Sequence, residues 1–160
     1  MAEIENFQGT QEEFRELLAQ MTKDYYARTG ATVALMAVEF ADCSLEDMTA
    51  ETRRLITPDL LNANKVLFGG LVAAFFDSSM GMLVRGYSGC KVTPTVSLTV
   101  NYEHSVLEGE VLHFKSKIDR IGKTVSYVHC RAWVEGKEDT TCYTANGIYF
   151  MKRDGIFIKK

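Results

Sequence analysis

The sequence predicts an α+β fold in which a curved antiparallel sheet of about six strands wraps around one long central helix, with an extra amphipathic helix at the N-terminus. Residues 68–84 form an almost unbroken apolar run of helical length. From Thr95 onward, apolar and polar residues alternate with the period of two that is typical of strands. A helix that is apolar on nearly all sides must be covered on nearly all sides, which a curled sheet and a second copy of the chain would achieve.

The first predicted element is an amphipathic helix that begins at Thr10 and ends near Gly30. Thr10 and Glu13 have the spacing of a capping box, in which each residue satisfies a backbone N–H of the other. Apolar side chains then recur at helical spacing: Phe14, Leu17, Leu18, Met21 and Tyr25.

Two short strands are predicted next, over residues 35–42 and 48–56, and a loop rich in Asn and Asp follows over 58–65. Gly69 and Gly70 then open the long apolar helix, which is predicted to run to about Gly86. The segment from there to Pro94 is predicted to be a loop.

The C-terminal half is predicted to be a meander of four antiparallel strands. Val96, Leu98, Val100 and Tyr102 fall on one face of the first of these strands. The second is centred on residues 112–118, the third covers 124–134 and the fourth covers 140–152, with tight turns at 121–123 and 135–137. Consecutive strands joined by short turns pair antiparallel.

Length and composition indicate one globular domain. The chain has 160 residues, of which 46% are hydrophobic and 24% charged, and it contains two prolines. We found neither an internal repeat nor a linker, so we expect a helical segment over 1–34 packed on a single domain over 35–160.

Charge and cysteine placement exclude several functional classes. A net charge of −3 with scattered basic residues argues against nucleic-acid binding. The four cysteines lie far apart and form no CxxC pair, which fits neither a zinc site nor a secreted disulfide framework. Residues 1–11 lack the apolar core of a secretory signal, and no apolar run reaches ~18 residues, so we expect no membrane span and a cytoplasmic protein.

The most informative residue is Asp77, the only acid within the apolar helix. An unpaired buried carboxylate is costly, so its placement needs a reason. Gly69 and Gly70 offer helix N-terminal N–H groups to an oxygen that gains charge, but they lie ~10 Å from Asp77 along the helix axis. Two antiparallel copies of the helix would bring them together in a dimer. Alternatively, Asp77 pairs with a basic side chain, with Ser78 and Ser79 marking an exposed helix edge.

Several segments together resemble the PaaI-like acyl-CoA thioesterases of the hotdog fold. They are the stretch from Asn62 to Asp77 that contains the glycine pair, the segments 95–98 and 101–102, the pair 109–110, and the turn 121–124. The resemblance covers about residues 38–151. It implies hydrolysis of an acyl-CoA thioester by a homodimer or a dimer of dimers, with coenzyme A as part of the substrate and no separate cofactor or metal.

The resemblance also implies roles for individual residues. Asp77 would activate water or attack the thioester carbonyl, and the N–H of Gly69 or Gly70 of the partner chain would polarise that carbonyl. Asn62 would assist in binding the carbonyl or the water, or it would serve only as a loop residue. Thr95 would hydrogen-bond the attacking water, or it would only begin a strand. Relatives bring the turn that matches Gly122 and Lys123 near the coenzyme A phosphates, although such a turn is also an ordinary hairpin.

The chain departs from the family at Phe68, where many relatives have a His that helps to orient the thioester. Phe offers neither a hydrogen bond nor a charge, so turnover could be slowed or lost. Phe68, Phe76 and Met80 could line an apolar acyl pocket, or pack in the core. Two further hypotheses therefore stay open: a non-catalytic acyl-CoA-binding protein, and a structural oligomer in which Asp77 forms an ion pair.

The three histidines, His104, His113 and His129, share no metal-ligand spacing. His113 and His129 fall on the polar phase of predicted strands and are predicted to lie on the surface. Nucleophile elbows, phosphate-binding loops and dinucleotide fingerprints are absent from the sequence.

Overall fold

A computed structural model describes residues 6–27 and 30–151. The helices are α1 (Gln11–Ala27), α2 (Ala31–Leu35) and α3 (Gly69–Ser88), and a short 3-10 turn covers Pro58–Leu60. The strands are β1 (Glu39–Ser44), β2 (Thr49–Leu55), β3 (Thr95–Tyr102), β4 (Val111–Ile121), β5 (Val125–Val134) and β6 (Tyr143–Phe150). These elements confirm the predicted architecture of a six-stranded antiparallel sheet, a long helix and an N-terminal helix.

The capping box at the start of α1 is confirmed. The Thr10 N–H donates to Oε2 of Glu13 at 2.7 Å, and the Glu13 N–H donates to the Thr10 hydroxyl at 3.2 Å. Helix α1 then buries Phe14 and Leu18 against α3. A Cβ atom at Gly86 would lie 2.3 Å from Cδ2 of Leu18, so glycine permits this close contact between the two helices.

The predicted strand over residues 35–42 is wrong in its first half. Residues 31–35 form α2, and β1 begins only at Glu39. The N–H groups of Val33 and Ala34 donate to the Gly30 carbonyl, and that of Ala37 donates to Ala34. A short run rich in Ala, Leu and Met has good intrinsic helix propensity, and local hydrogen bonds therefore prevail over the apolar alternation.

The predicted four-strand meander is correct for β4, β5 and β6 but wrong for β3. The sheet order is β1-β2-β4-β5-β6-β3, so β3 pairs with β6 at the far edge. The connection from β3 to β4 is held to other segments, because Glu103 and His104 donate to the Cys142 carbonyl and Leu67 donates to the Val106 carbonyl. Period-two alternation identifies a strand but not its partner, which explains the error.

Helix α3 packs against one face of the sheet, as predicted. Phe75 and Phe76 are fully buried and meet Phe114 of β4 edge to face, with ring centroids 5.8 and 5.3 Å apart. The helix continues to Ser88, slightly beyond the predicted end near Gly86. Gly89 ends it in the left-handed conformation, with φ of 65°. The core thus holds α3 against one face of the sheet.

None of the helices in the described part of the chain combines the length and the apolar character needed to cross a membrane. Residues 6–27 and 30–151 also contain no group of three His, Cys, Asp or Glu residues placed to hold a metal ion.

Candidate active site

Asp77 lies in the middle of α3, half-buried, and receives hydrogen bonds from two strands. The Thr95 hydroxyl donates to Oδ1 of Asp77 at 2.5 Å. The Tyr149 hydroxyl lies 3.2 Å from the same Oδ1 and 3.2 Å from the Asp77 backbone carbonyl. Thr95 and Tyr149 are partners in the β3–β6 register, so this strand pairing presents both hydroxyls to the helix.

Sequence reasoning missed Tyr149, because an aromatic residue on the inward phase of a strand is indistinguishable from a core residue. Its ring is in fact 1% exposed and packs against two glycines. A Cβ atom would lie 3.3 Å from the ring at Gly81 and 2.7 Å from it at Gly147. Burial, followed by the negative charge of Asp77, raises the pKa of Tyr149 well above its usual value. Tyr149 is therefore a neutral donor aimed at the carboxylate.

A cavity of about 360 Å³ adjoins Asp77, Thr95 and Tyr149. Its walls come from α1, the residue before β1, α3 and the segment that leads into β3. The other lining residues are mostly apolar or small, with two cations among them: Met21, Thr22, Val38, Ser78, Gly81, Met82, Arg85, Lys91, Val92, Thr93 and Pro94. The carboxylate thus faces a space that could hold a small or medium-sized organic group.

The described residues give Asp77 no basic partner, in contrast to the ion-pair alternative. The expectation that Ser79 marks an exposed edge is wrong. Ser79 is buried, and its hydroxyl lies 2.6 Å from that of Thr52 and donates to the Phe75 carbonyl at 2.7 Å. Ser78, by contrast, lines the cavity.

Gly69 and Gly70 form the first turn of α3, as predicted. The Phe68 carbonyl accepts the N–H groups of Leu71 and Val72 at 2.9 and 3.2 Å. No described group accepts the N–H of Gly69 or Gly70, which is the usual state of the first helical positions. These amides lie ~10 Å from Asp77 along the axis, so one chain does not bring both to the same carbonyl.

Asn62 lies in the loop that precedes α3. Its Oδ1 accepts the N–H groups of Asn64 at 2.8 Å and Val66 at 3.4 Å, and its own N–H donates to the Val66 carbonyl. Asn62 therefore shapes the loop, and its assistance to catalysis stays a prediction.

The three residues predicted to line an acyl pocket do not lie together at the cavity beside Asp77. Phe76 and Met80 are fully buried in the core, and neither lines the cavity beside Asp77, so within one chain they do not form a pocket wall. Phe68 is 52% exposed at the start of α3. A core helix buries its apolar residues on several sides, and the sequence does not reveal which side faces a cavity.

Gly122 and Lys123 lie in the β4–β5 turn, as the sequence predicted. The Gly122 N–H donates to the Val125 carbonyl at 2.9 Å, and Lys123 is exposed. Their proposed proximity to coenzyme A phosphates stays a prediction.

Comparison with known proteins places this chain in a family. The thioesterase superfamily profile matches residues 64–141, which include α3, β3, β4 and β5. A Thermoplasma volcanium protein provisionally named as an esterase is 32% identical over 95 residues, 59% of this chain and 69% of the relative. A Buchnera aphidicola protein named as an uncharacterised acyl-CoA thioester hydrolase is 26% identical over 106 residues, 66% of this chain and 76% of the relative.

Solved structures agree on the fold. A thioesterase-like phenylacetic acid degradation-related protein from Ralstonia eutropha superposes with a TM-score of 0.71 at 20% identity, over 84% of this chain and 99% of the other. The fold that the sequence resemblance implies is thereby confirmed. The profile match and the 32% identical relative, of which this chain covers 69%, show that this protein belongs to the thioesterase superfamily, a family of thioester hydrolases.

Proposed function

We propose that this protein hydrolyses acyl-CoA thioesters to a free acid and coenzyme A, with Asp77 as general base or nucleophile. The observation that carries the proposal is a half-buried carboxylate that faces a cavity and is held by Thr95 and Tyr149 without any described cationic partner. The acyl-CoA substrate class is supported by the name of the Buchnera relative and by the family profile.

Either chemical route begins at the same carboxylate. As a general base, Asp77 takes a proton from water while the water oxygen bonds to the thioester carbon, and the carbon–sulfur bond then breaks to release the thiolate, which takes up a proton. As a nucleophile, Asp77 bonds to the carbon itself and the resulting anhydride is hydrolysed. The hydrogen bonds from Thr95 and Tyr149 orient the carboxylate in both routes, and Thr95 would also contact the water.

The oxyanion that forms requires donors, which we assign to the N–H groups of Gly69 and Gly70 of a partner chain. The outer edge of β3 supports a dimer, because β3 is the last strand of the sheet formed by the described residues and exposes two large apolar side chains. Val96 is 60% exposed and Tyr102 is 54% exposed. An edge strand with exposed apolar side chains can pair with a strand of a second chain. Tyr102 also donates to the Gly69 carbonyl at 2.8 Å, which links this edge to the start of α3.

Three further assignments belong to the same proposal. Asn62 assists the carbonyl or the water from the loop before α3, and Phe68 contributes an apolar contact near the thioester in the assembled dimer. The turn at Gly122 and Lys123 contacts the coenzyme A phosphates.

Thiol release from short, medium, long and aromatic acyl-CoA esters tests the proposal. We expect turnover by the native protein and a loss of at least two orders of magnitude, ~3 kcal/mol, in Asp77→Ala and Asp77→Asn. The matched control is Asp119→Asn, which removes a carboxylate that lies 2.6 Å from Nδ1 of His129 on an exposed part of the sheet. Equal activity of the native protein and the Asp77 variants would contradict the assigned role.

The shared site is tested by complementation. Asp77→Ala chains mixed with Gly70→Pro chains should regain activity in verified heterodimers, because one of the two sites would then contain an intact carboxylate and an intact amide. No recovery in such heterodimers would argue against a shared site.

Phe68 favours a second candidate function, a non-catalytic acyl-CoA-binding protein, because this position lacks the hydrogen-bonding side chain that the resemblance implies for relatives. Both functions predict coenzyme A ester binding, whereas free thiol is released only by an enzyme.

A further inference from the structure

The cavity beside Asp77 has a cationic end that the proposed hydrolysis does not use. Arg85 and Lys91 both line it, from the last turns of α3 and from the segment that leads to β3. Neither residue forms an ion pair with a described residue. Two cations in one cavity, neither of them paired with an acid in the described ranges, indicate an affinity for an anionic group.

Among the described residues that line the cavity, Asp77 is the only acid, and its carboxylate is hydrogen-bonded to hydroxyl groups and not to these cations. Its Oδ1 accepts the hydroxyls of Thr95 and Tyr149. Asp77 and Arg85 are two helical turns apart on α3, ~12 Å along the axis, so they mark opposite ends of the space. Residues 91–95 run beside this helix, because Thr95 donates to Asp77 and the Thr93 hydroxyl donates to the Gly81 carbonyl at 3.4 Å, so Lys91 lies toward the Arg85 end.

The region between these ends suits a hydrocarbon chain. Gly81 lies one turn after Asp77 and one turn before Arg85, and it has no side chain to block the path. Met82 and Val92 contribute apolar walls. An Arg side chain on a helix leans toward the N-terminus of the helix, which shortens the span from Arg85 to the reacting carbon.

We propose that Arg85 and Lys91 bind a carboxylate at the far end of the acyl group, so that the preferred substrates are acyl-CoA esters whose acyl chain ends in a second carboxylate. This inference rests on the proposed function, because it assumes that the thioester carbonyl lies at Asp77. Arg presents a planar fork of donors that matches a carboxylate in two-point contact, and Lys adds a second charge.

The phosphates of coenzyme A are the other anions that such a site could attract. They are separated from the thioester sulfur by the whole pantetheine arm, which is longer than the span from Asp77 to Arg85. The geometry therefore favours the acyl carboxylate, and truncated substrates distinguish the two sources.

The experiment compares adipoyl-CoA with hexanoyl-CoA, which have the same chain length and differ in the terminal carboxylate. We expect kcat/KM to favour adipoyl-CoA in the native protein. Arg85→Gln and Lys91→Gln should each lower that preference by about tenfold, the size of one charged hydrogen bond, and leave hexanoyl-CoA hydrolysis within about twofold. Lys115→Gln, an exposed cation on β4 outside the cavity, is the matched control.

Adipoyl-pantetheine, which lacks the phosphates, should show the same dependence on Arg85 as adipoyl-CoA. If instead both CoA esters lose activity equally in Arg85→Gln and the loss disappears with pantetheine esters, the cations bind the nucleotide and the inference is overturned. A reversed-charge variant, Arg85→Glu, should shift the preference toward 6-aminohexanoyl-CoA.

Two outcomes separate this inference from the proposed function. Asp77-dependent hydrolysis of hexanoyl-CoA without any preference for adipoyl-CoA would overturn the inference alone. If no ester is hydrolysed, the proposed hydrolysis fails. Calorimetric titration of the protein with the same two esters then tests whether Arg85 and Lys91 bind a carboxylate. Tighter binding of adipoyl-CoA than of hexanoyl-CoA, lost in Arg85→Gln, would support the site, and equal binding would overturn it.

Discussion

The Thr95 hydroxyl donates a 2.5 Å hydrogen bond to Oδ1 of Asp77, across the gap between the start of β3 and the middle of α3. A hydroxyl that donates to a carboxylate makes a charge-assisted bond, which is roughly twice as strong as a neutral one. Since Thr95 also pairs with Tyr149 across the sheet, three elements converge on one carboxylate. The orientation of the carboxylate therefore depends on the packing of the helix against both strands.

Thr95→Val should lower kcat for an acyl-CoA ester by about tenfold, because the isosteric side chain fills the same space but cannot donate to Asp77. Thr95→Ser keeps the hydroxyl and should stay within about threefold of the native rate. Steady-state kinetics of both variants measure the effect. Equal rates for Val and Ser would show that the hydrogen bond is irrelevant to turnover.

Tyr149→Phe should reduce kcat by about fivefold to tenfold, because Asp77 loses its second donor while the ring stays packed. The free energy of unfolding should fall by only about 1 kcal/mol. Urea denaturation and kinetics on one preparation separate the two effects. A large loss of stability without a change in kcat would indicate that Tyr149 is structural.

Gly147→Ala should destabilise the protein and disturb Asp77 indirectly. The new Cβ would lie 2.7 Å from Cε2 of Tyr149 and 3.2 Å from Cε of Met80, so both buried side chains must move. We expect a loss of ~1–3 kcal/mol in the free energy of unfolding, as for other overpacked cores, together with lower kcat.

Gly30→Ala is the control for this prediction, because a Cβ there meets nothing within 4 Å and φ is −73°. Its stability should stay within about 0.5 kcal/mol of the native value. If Gly147→Ala is equally harmless in chemical denaturation, then the site tolerates movement of Tyr149.

Stability should decline in alkaline solution because two buried groups resist losing their protons in the folded state. Burial raises the pKa of the Cys130 thiol to about 12, and burial and Asp77 raise that of Tyr149 above its usual value. Unfolding returns these groups to pKa values near ~8.5 and ~10. Their stabilisation is complete below the lower of these values and is lost as pH rises, with a slope of up to ~1.4 kcal/mol per pH unit for each group.

Denaturation midpoints at a series of pH values measure this slope. Tyr149→Phe should make the decline shallower above about pH 10, where the unfolded tyrosine begins to ionise, and leave it unchanged below that pH. Identical slopes for the native protein and Tyr149→Phe would contradict the prediction.

Local chemistry made much of this fold predictable. The capping box at Thr10 and Glu13 depends on side chains three residues apart, and the turns between β4, β5 and β6 connect strands that are neighbours in sequence. The long apolar helix and the anomaly of Asp77 within it were also visible, because a charge among apolar neighbours has a cost whatever surrounds it.

The pairing of strands that are distant in the chain could not be predicted from the sequence. The alternation in β3 indicated a strand, but it did not indicate that this strand pairs with β6 and not with β4. That pairing places Thr95 opposite Tyr149, and it thereby brings to Asp77 a donor that had looked like a core residue.

The sequence by itself determined most of the element types and turns, because these depend on residues close together in the chain. It also determined the family, through motifs that occur in order over about residues 38–151. Only the tertiary structure decided which side chains share a space: it buried Phe76 and Met80 in the core and gathered Asp77, Tyr149 and Arg85 around one cavity. The physical reason is that burial and cross-strand contact depend on how distant segments pack, and a single sequence carries no local mark of that packing.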